Sequence, residues 1–241
     1  METQSRVAGS ARRSGFAALG LVVLGPLLSQ VPGVPPLAGF YTFGLGLLTG
    51  LVALVTGLAG LWFTRPASGA AGRGSAGIGV GVGVAIIAVV VIVNAQGLGG
   101  PPINDITTDT KNPPQFAAIA KLLPERDYSY PGGEFTRAQI AAYPDLRSIV
   151  VSLPPDQALV AAKETAEALG WDLVFIDTEA YRIEAIETTT VFRFVDDVVI
   201  SIRPAAEGSR IDVRSKSRDG RGDVGANAAR IRRFRSAVSD G

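Results

Sequence analysis

No cysteine and no histidine occurs among the 241 residues. Disulfides, thiol nucleophiles and thiolate metal sites are therefore excluded, and so is acid–base chemistry by imidazole. The lack of cysteine suits an oxidising compartment without requiring one. Acidic charge is missing from almost all of the first hundred residues, where Glu2 stands alone against Arg6, Arg12, Arg13, Arg65 and Arg73. Three long stretches there carry no charge at all, at about residues 14–31, 37–63 and 76–98. Ion-coupled transport nearly always needs a charged side chain inside a span, so this absence argues against a transporter or channel subunit.

What is present divides the chain in two. The uncharged stretches make residues 1–98 a transmembrane anchor of three helices. The first, Phe16–Val31 with Ser14 and Gly15 added, is near the lower limit for crossing a bilayer. The second, Leu37–Phe63, has 27 residues and room to tilt. The turn Val31-Pro-Gly-Val-Pro-Pro36 separates them. Arg12 and Arg13 precede the first span as they would in a signal peptide, but no small-x-small cleavage site follows, so the span is read as retained. Gly46, Gly50, Ala53, Gly57 and Gly60 recur every three or four residues and form one smooth face, and Gly77, Gly79, Gly81 and Gly83 smooth the third span. Such faces serve packing within the anchor, with a homo-oligomer through the Gly-rich spans as the alternative.

The arginines set a direction. They lie in the N-terminal tail and in the Thr64–Ser75 loop, and none lies in the turn between spans one and two. The positive-inside rule puts the N-terminus and that loop in the cytoplasm of a multi-pass plasma membrane protein. Three crossings leave residues 99–241 outside, periplasmic or extracellular. The tether Gly99-Gly-Pro-Pro102 holds that domain within a few nanometres of the membrane's outer face, within reach of lipid head groups.

Residues 101–241 carry 18 basic and 21 acidic side chains and read as one ordinary domain with a core of its own. Seven prolines between Pro101 and Pro144 make the first part irregular, wrapping the domain outside its sheet, with one helical candidate at Gln115–Leu123. A short strand at Arg147–Leu153 follows. A helix then opens at Pro154-Pro155-Asp156, buries Ala158, Leu159, Ala162, Ala166 and Leu169, and closes at Gly170. Trp171–Ile176 is nearly all apolar and reads as a central strand. Tyr181, Ile183 and Ala185 alternate with Arg182, Glu184 and Ile186, mostly a half-buried pattern, and Val191–Val195 and Val198–Arg203 follow, split by a turn or bulge at Asp196-Asp197. Arg210–Ser215 alternates with Ile211 and Val213 inward. A last helix, Val224–Val238, buries Ala228, Ile231, Phe234 and Val238 and turns Arg230, Arg232, Arg233 and Arg235 outward. The fold class is thus a membrane-anchored α+β domain, with an antiparallel sheet and two helices packed on one face.

Several strings in this half carry a resemblance. They are Ile103-Asn-Asp-Ile-Thr-Thr-Asp109, Asn112-Pro-Pro-Gln-Phe116, Gly170-Trp171, Asp196-Asp-Val-Val-Ile200 and the long run Val213 to Ile231. Together, over about residues 103–234, they resemble the domain-of-unknown-function 1499 family. The resemblance implies an extracytoplasmic α+β domain, often attached to a membrane segment, and implies no activity.

The leading candidate site is an anion site made by Ser215, Ser217, Arg218, Arg221, Asp223 and Asn227 at the start of the last helix. Free N–H groups, hydroxyls and arginines suit a phosphate or carboxylate there. Arg203–Arg235 holds ten basic and four acidic residues. The plainer alternative is that Asp223 caps the helix and pairs with Arg218 or Arg221. Arg221-Gly-Asp223 spells an adhesion tripeptide and is read as chance. Asp105, Thr107 and Asp109 offer oxygen to a hard cation, but backbone hydrogen bonds are the better use of them, so no metal is assigned. Asp196 and Asp197 point to opposite faces if they lie on a strand, which counts against a shared acid–base site. Tyr128, Tyr130 and Tyr143 either line a groove or are buried. No catalytic residue, cofactor or nucleic-acid partner is implied. The expected role is a non-catalytic binding or scaffolding module for an envelope protein, lipid or cell-wall component. The alternative is a hydrolase-like envelope enzyme working with Asp, Ser and Arg.

Overall fold

A computed structural model describes residues 3–94 and 100–240. The start of the tether and the end of the third expected span, both within residues 95–99, lie outside the described residues. The chain divides into two compact units, one holding the N-terminal helices and the other the sheet domain.

In the first unit, β1 (Thr3–Gln4), α1 (Arg6–Ser29), α2 (Pro36–Phe63), β2 (Ala70–Ala71) and α3 (Arg73–Asn94) follow in order. Among the described residues, three helices are long and apolar enough to cross a membrane. The first begins earlier than its uncharged stretch, because the Ser5 side chain accepts the Ala8 N–H and starts the helix ahead of Arg12 and Arg13. The packing of the unit is inverted relative to a soluble bundle. Gly39, Gly46, Gly50, Ala53, Gly57 and Gly60 are the buried residues of α2, while Leu45, Leu48, Leu51, Val52, Val55 and Leu58 face outward. A Cβ on Gly46 would lie 2.8 Å from the Val22 nitrogen, and one on Gly57 would lie 2.8 Å from the Val80 nitrogen. Only glycine lets the backbones approach that closely. β1 pairs with β2 in parallel, which ties the N-terminal tail to the loop between α2 and α3.

The second unit runs β3 (Asp105–Thr107), α4 (Ala118–Leu122), α5 (Gly133–Ala142), β4 (Ile149–Val151), α6 (Pro155–Ala168), β5 (Asp172–Asp177), β6 (Arg182–Thr188), β7 (Val195–Ala205), β8 (Gly208–Ser217) and α7 (Ala226–Asp240). The sheet is antiparallel throughout, in the order β3-β8-β7-β6-β5, and β4 pairs with the other end of β8 from β3. Alternation along the strands gives each face its own core. Ile183, Ala185, Val198, Ile200, Ile202, Ile211 and Val213 meet Ala158, Leu159, Ala162, Ala166, Ala228, Ile231 and Phe234 of α6 and α7. On the opposite face Val199 meets Phe116, Ile119 and Tyr128. Helix α6 ends as its sequence requires. Gly170 takes a φ of +78°, its N–H reaches the Glu167 carbonyl, and the Trp171 N–H reaches that of Ala166. The Trp171 ring then stacks on Phe234 at 5.4 Å.

Five expectations change. The proline-rich segment does cover the domain, but Asp105–Thr107 joins the sheet beside β8. The same segment contains α5, which opens at Gly133 behind Gly132, both at positive φ and with no side-chain cap, so the capping signal of a helix start is missing. Strand β5 is an edge strand, not a central one. Its residues are apolar on both faces because Leu173 and Ile176 pack on one core and Val174 on the other. Val191–Phe194 is not a strand. Thr189 closes this connection, donating its N–H to the Phe194 carbonyl while its hydroxyl accepts the Phe194 N–H, and β7 begins only at Val195, running unbroken through Asp196-Asp197. Arg230 is buried, not turned outward.

Candidate functional site

The six residues of the expected anion site separate by sheet face. On the helix side, Ser215, Ser217, Asp223 and Asn227 come together. Asn227 accepts from the Ser215 hydroxyl at 2.6 Å, and its amide nitrogen donates to Ser217 Oγ at 3.0 Å and to the Asn104 carbonyl at 3.1 Å. Arg230 fills the space a ligand would need. It donates to Ser215 Oγ at 2.9 Å and to Asn227 Oδ1 at 2.5 Å, pairs with Asp196 at 2.6 Å, and also pairs with Glu187. Asp223 accepts the N–H groups of Gly225 and Asn227 at 2.9 and 2.7 Å, so the start of α7 is satisfied from within. Burial pushes the Asp223 carboxyl above its ordinary range even though those N–H groups pull it down. The expected pairing of Asp223 with Arg218 or Arg221 does not occur. Arg218 lies across the sheet on Asp197, and Arg221 is exposed with no ion pair among the described residues.

The other face is ionic to an extent that strand alternation does not announce. Arg214 and Asp105 are both fully buried and meet in a two-point pair, with Nε–Oδ1 and Nη2–Oδ2 each at 2.8 Å. The same guanidinium donates to the carbonyls of Pro114 and Tyr128 and lies 5.1 Å from the Phe116 ring centre. Arg203 and Arg210 stand directly opposite each other on β7 and β8, where like charges repel. Asp212 and Asp109 lie between them and make the pairing favourable. Glu184, wholly buried, accepts the first N–H groups of the α4 turn, those of Ala117, Ala118 and Ile119, at 2.7–3.0 Å. Asp109 also accepts the N–H groups of Lys111 and Asn112, which is the turn-type use expected of it. These contacts are what fasten the segment that follows β3, through Tyr128, over the second face of the sheet. Among the described residues, no three His, Cys, Asp or Glu side chains gather closely enough to hold a metal ion.

One polar cavity opens on this face, about 260 Å³ in volume. Its walls come from Asn104 before β3, the Arg126–Tyr128 loop after α4, Asp197 of β7, and Lys216 to Arg218 at the end of β8. The strand register sets this up, since Asp197 lies opposite Lys216 in the β7–β8 ladder. Arg218 grips Asp197 through Nε and Nη2 at 2.7–3.0 Å, and the Tyr128 hydroxyl donates to the same carboxylate at 2.7 Å. Burial, and then that hydrogen bond, push the Tyr128 hydroxyl well above the ordinary tyrosine range, so it stays protonated and is neither base nor nucleophile. Arg126 Nη1 donates to the Arg218 carbonyl, and the Lys216 ammonium donates to Asp105 at 3.0 Å. Tyr130 and Tyr143 stand elsewhere: Tyr130 bonds to Gln139, and Tyr143 is in the main core.

The strings that wire this domain together are the ones that carry a family pattern. The model of the family described as "Protein of unknown function (DUF1499)" matches residues 105–238, more than half of the chain. The chain belongs to the DUF1499 family. A comparison with curated proteins gives no match. The DUF1499 domain therefore coincides with the sheet unit, from the β3 carboxylate that holds Arg214 to the last buried residue of α7, Val238.

Proposed function

We propose that this is a multi-pass plasma membrane protein whose DUF1499 domain lies outside the cytoplasm and serves as a non-catalytic binding or scaffolding module for an envelope protein, lipid or cell-wall component. The observation that carries the reading is the occupancy of its chemistry-bearing side chains. A general acid, base or nucleophile must keep one position open to substrate. Here Asp105, Asp196, Asp197 and Asp212 are each closed by a guanidinium, and Glu184 by three backbone N–H groups. Ser215 donates its hydroxyl to Asn227 and accepts from Arg230, and Ser217 accepts from the Asn227 amide, so neither faces a base that could take its proton.

The orientation rests on charge and on the helix unit. The β1–β2 pairing gathers the N-terminal arginines and the Arg65–Arg73 loop at one end of that unit, and the turn between α1 and α2, which lacks arginine, lies at the other. Self-association of the helices would use the open α3 face of Gly77, Gly81 and Ala85, because the α2 glycines Gly46, Gly50, Gly57 and Gly60 are already covered by α1 and α3.

Two measurements test this. An alkaline phosphatase fused after residue 241 is active in intact cells; an expressed but inactive fusion reverses the orientation. Photo-reactive side chains placed at the exposed positions Leu122, Val150 and Val160 give position-specific adducts in membranes. Labelling of Ser215 or Ser217 by a fluorophosphonate probe would instead turn the reading toward a hydrolase.

A further inference from the structure

The cavity by Arg218 has an imbalance between donors and acceptors. Both of its carboxylates already accept hydrogen bonds. Asp197 receives Arg218 and Tyr128, and Asp127 Oδ1 receives the N–H and hydroxyl of Ser129 at 2.8 and 2.6 Å. The hydroxyl and N–H of Ser129 hold the Asp127 carboxyl below the usual carboxylate range, so it stays ionised and adds no donor to the cavity. Its three cations are not used up. Arg218 leaves Nη1 without an acceptor among the described residues. Among the described residues, Lys216 uses Nζ on Asp105 alone, and Arg126 uses Nη1 on one carbonyl with only a 3.9 Å approach of Nε to Glu125. The Ser217 hydroxyl accepts from Asn227, and its own hydrogen remains to be donated.

We propose that this cavity binds the phosphate group of a small phosphate ester. A phosphate presents several acceptor oxygens at once, and arginines provide planar pairs of N–H groups that suit it. Lys216 adds a point charge between them. The lining side chains carry three positive and two negative charges, so the cavity favours an anion of modest charge with a neutral or cationic remainder that faces Asp127. A volume of about 260 Å³ admits a head group and not a sugar chain. The tether read from the sequence leaves two sources within reach, a free phosphate ester and the phosphate of a lipid head group. The inference deepens the binding reading above and rests on it.

The test uses the full-length protein in maltoside micelles, which contain no phosphate. Glycerol 3-phosphate is titrated with 31P line broadening as the readout, and a parallel set of micelles is doped with phosphatidylglycerol. Saturable binding of glycerol 3-phosphate is expected. Arg126→Gln removes one charge-assisted donor and weakens that binding about tenfold. Asp127→Asn keeps the acceptor for Ser129, removes a negative charge from the cavity and strengthens binding about twofold to threefold. Arg137→Gln, an exposed cation of α5 outside the cavity, leaves it unchanged. Competition by phosphatidylglycerol assigns the site to lipid; its absence assigns the site to a soluble ester. No saturable binding, or equal affinity in wild type, Arg126→Gln and Asp127→Asn, overturns the proposal and leaves the non-catalytic reading standing. Release of inorganic phosphate from a bound ester does the reverse, keeping the site and removing that reading.

Discussion

Replacing Arg214 by methionine should be among the most damaging single changes in the sheet domain, although the position lies on a strand whose alternation looks solvent-facing. Methionine keeps much of the side-chain volume and removes the charge. Asp105, fully buried, then keeps only Lys216 at 3.0 Å. Removing one partner of a buried pair costs about 3–5 kcal/mol, because the other charge stays in a poor solvent. The carbonyls of Pro114 and Tyr128 lose their donor as well, at about 1 kcal/mol each where water does not replace it. Lys216 offsets part of this, so a loss of about 4–5 kcal/mol is expected. A single domain is stable by only about 5–15 kcal/mol. Trp171 stacks on Phe234 in the core and reports unfolding; Trp62 of α2 is replaced by Phe in every variant to remove its signal. Urea unfolding of the full-length protein in micelles should show the midpoint falling by about 2 M. The paired change Asp105→Leu with Arg214→Met removes both charges and should recover much of the loss. A cost below about 1 kcal/mol for Arg214→Met, the range of a solvent-screened surface pair, would refute the reasoning.

Three further outcomes follow from the same contacts. Burial pushes the Asp109 carboxyl up, but the N–H groups of Asn112 and Lys111 and the guanidiniums of Arg210 and Arg203 outweigh it and hold the pKa below the ordinary value of 3.8. Its contribution is therefore present above the unfolded value and is lost as pH falls through the lower folded one, so Asp109→Asn should flatten the acid limb of stability below about pH 4 in urea midpoints taken against pH. Asp223 has the opposite sign: burial raises its carboxyl, so its ionisation opposes folding as pH rises. Asp223→Asn keeps the cap without the charge and should match or exceed wild type in a thermal melt at pH 7, whereas Asp223→Ala loses about 1 kcal/mol. In the helix unit, a Cβ on Gly83 would meet Leu54 Cβ at 2.6 Å and the Gly50 carbonyl at 2.8 Å, while one on Gly81 meets nothing within 4 Å. Gly83→Val should lower the melting temperature in micelles, and Gly81→Val should leave it unchanged while reducing self-crosslinking.

The sequence alone determined the features that depend on neighbours along the chain. The three apolar helices, the small-residue face of α2, the Gly170 stop of α6 and the buried stripes of α6 and α7 are all set by composition and period, and these are visible before folding. Tertiary structure decided the rest. Arg210, Asp212, Arg214 and Lys216 alternate with Ile211 and Val213, a pattern identical to that of a sheet with one face in water. It became the inside of a second layer because a segment rich in proline, and poor in helix and strand signals, lies 86 to 109 residues away in the chain and folds back to supply Asp105, Asp109 and Tyr128 to those charges. No local period encodes such a partner. For the same reason the expected site came apart. Ser215 and Arg218 are three residues apart in the chain, but the pleat sends them to opposite faces, one into a closed network under α7 and the other into an open cavity beside Asp197.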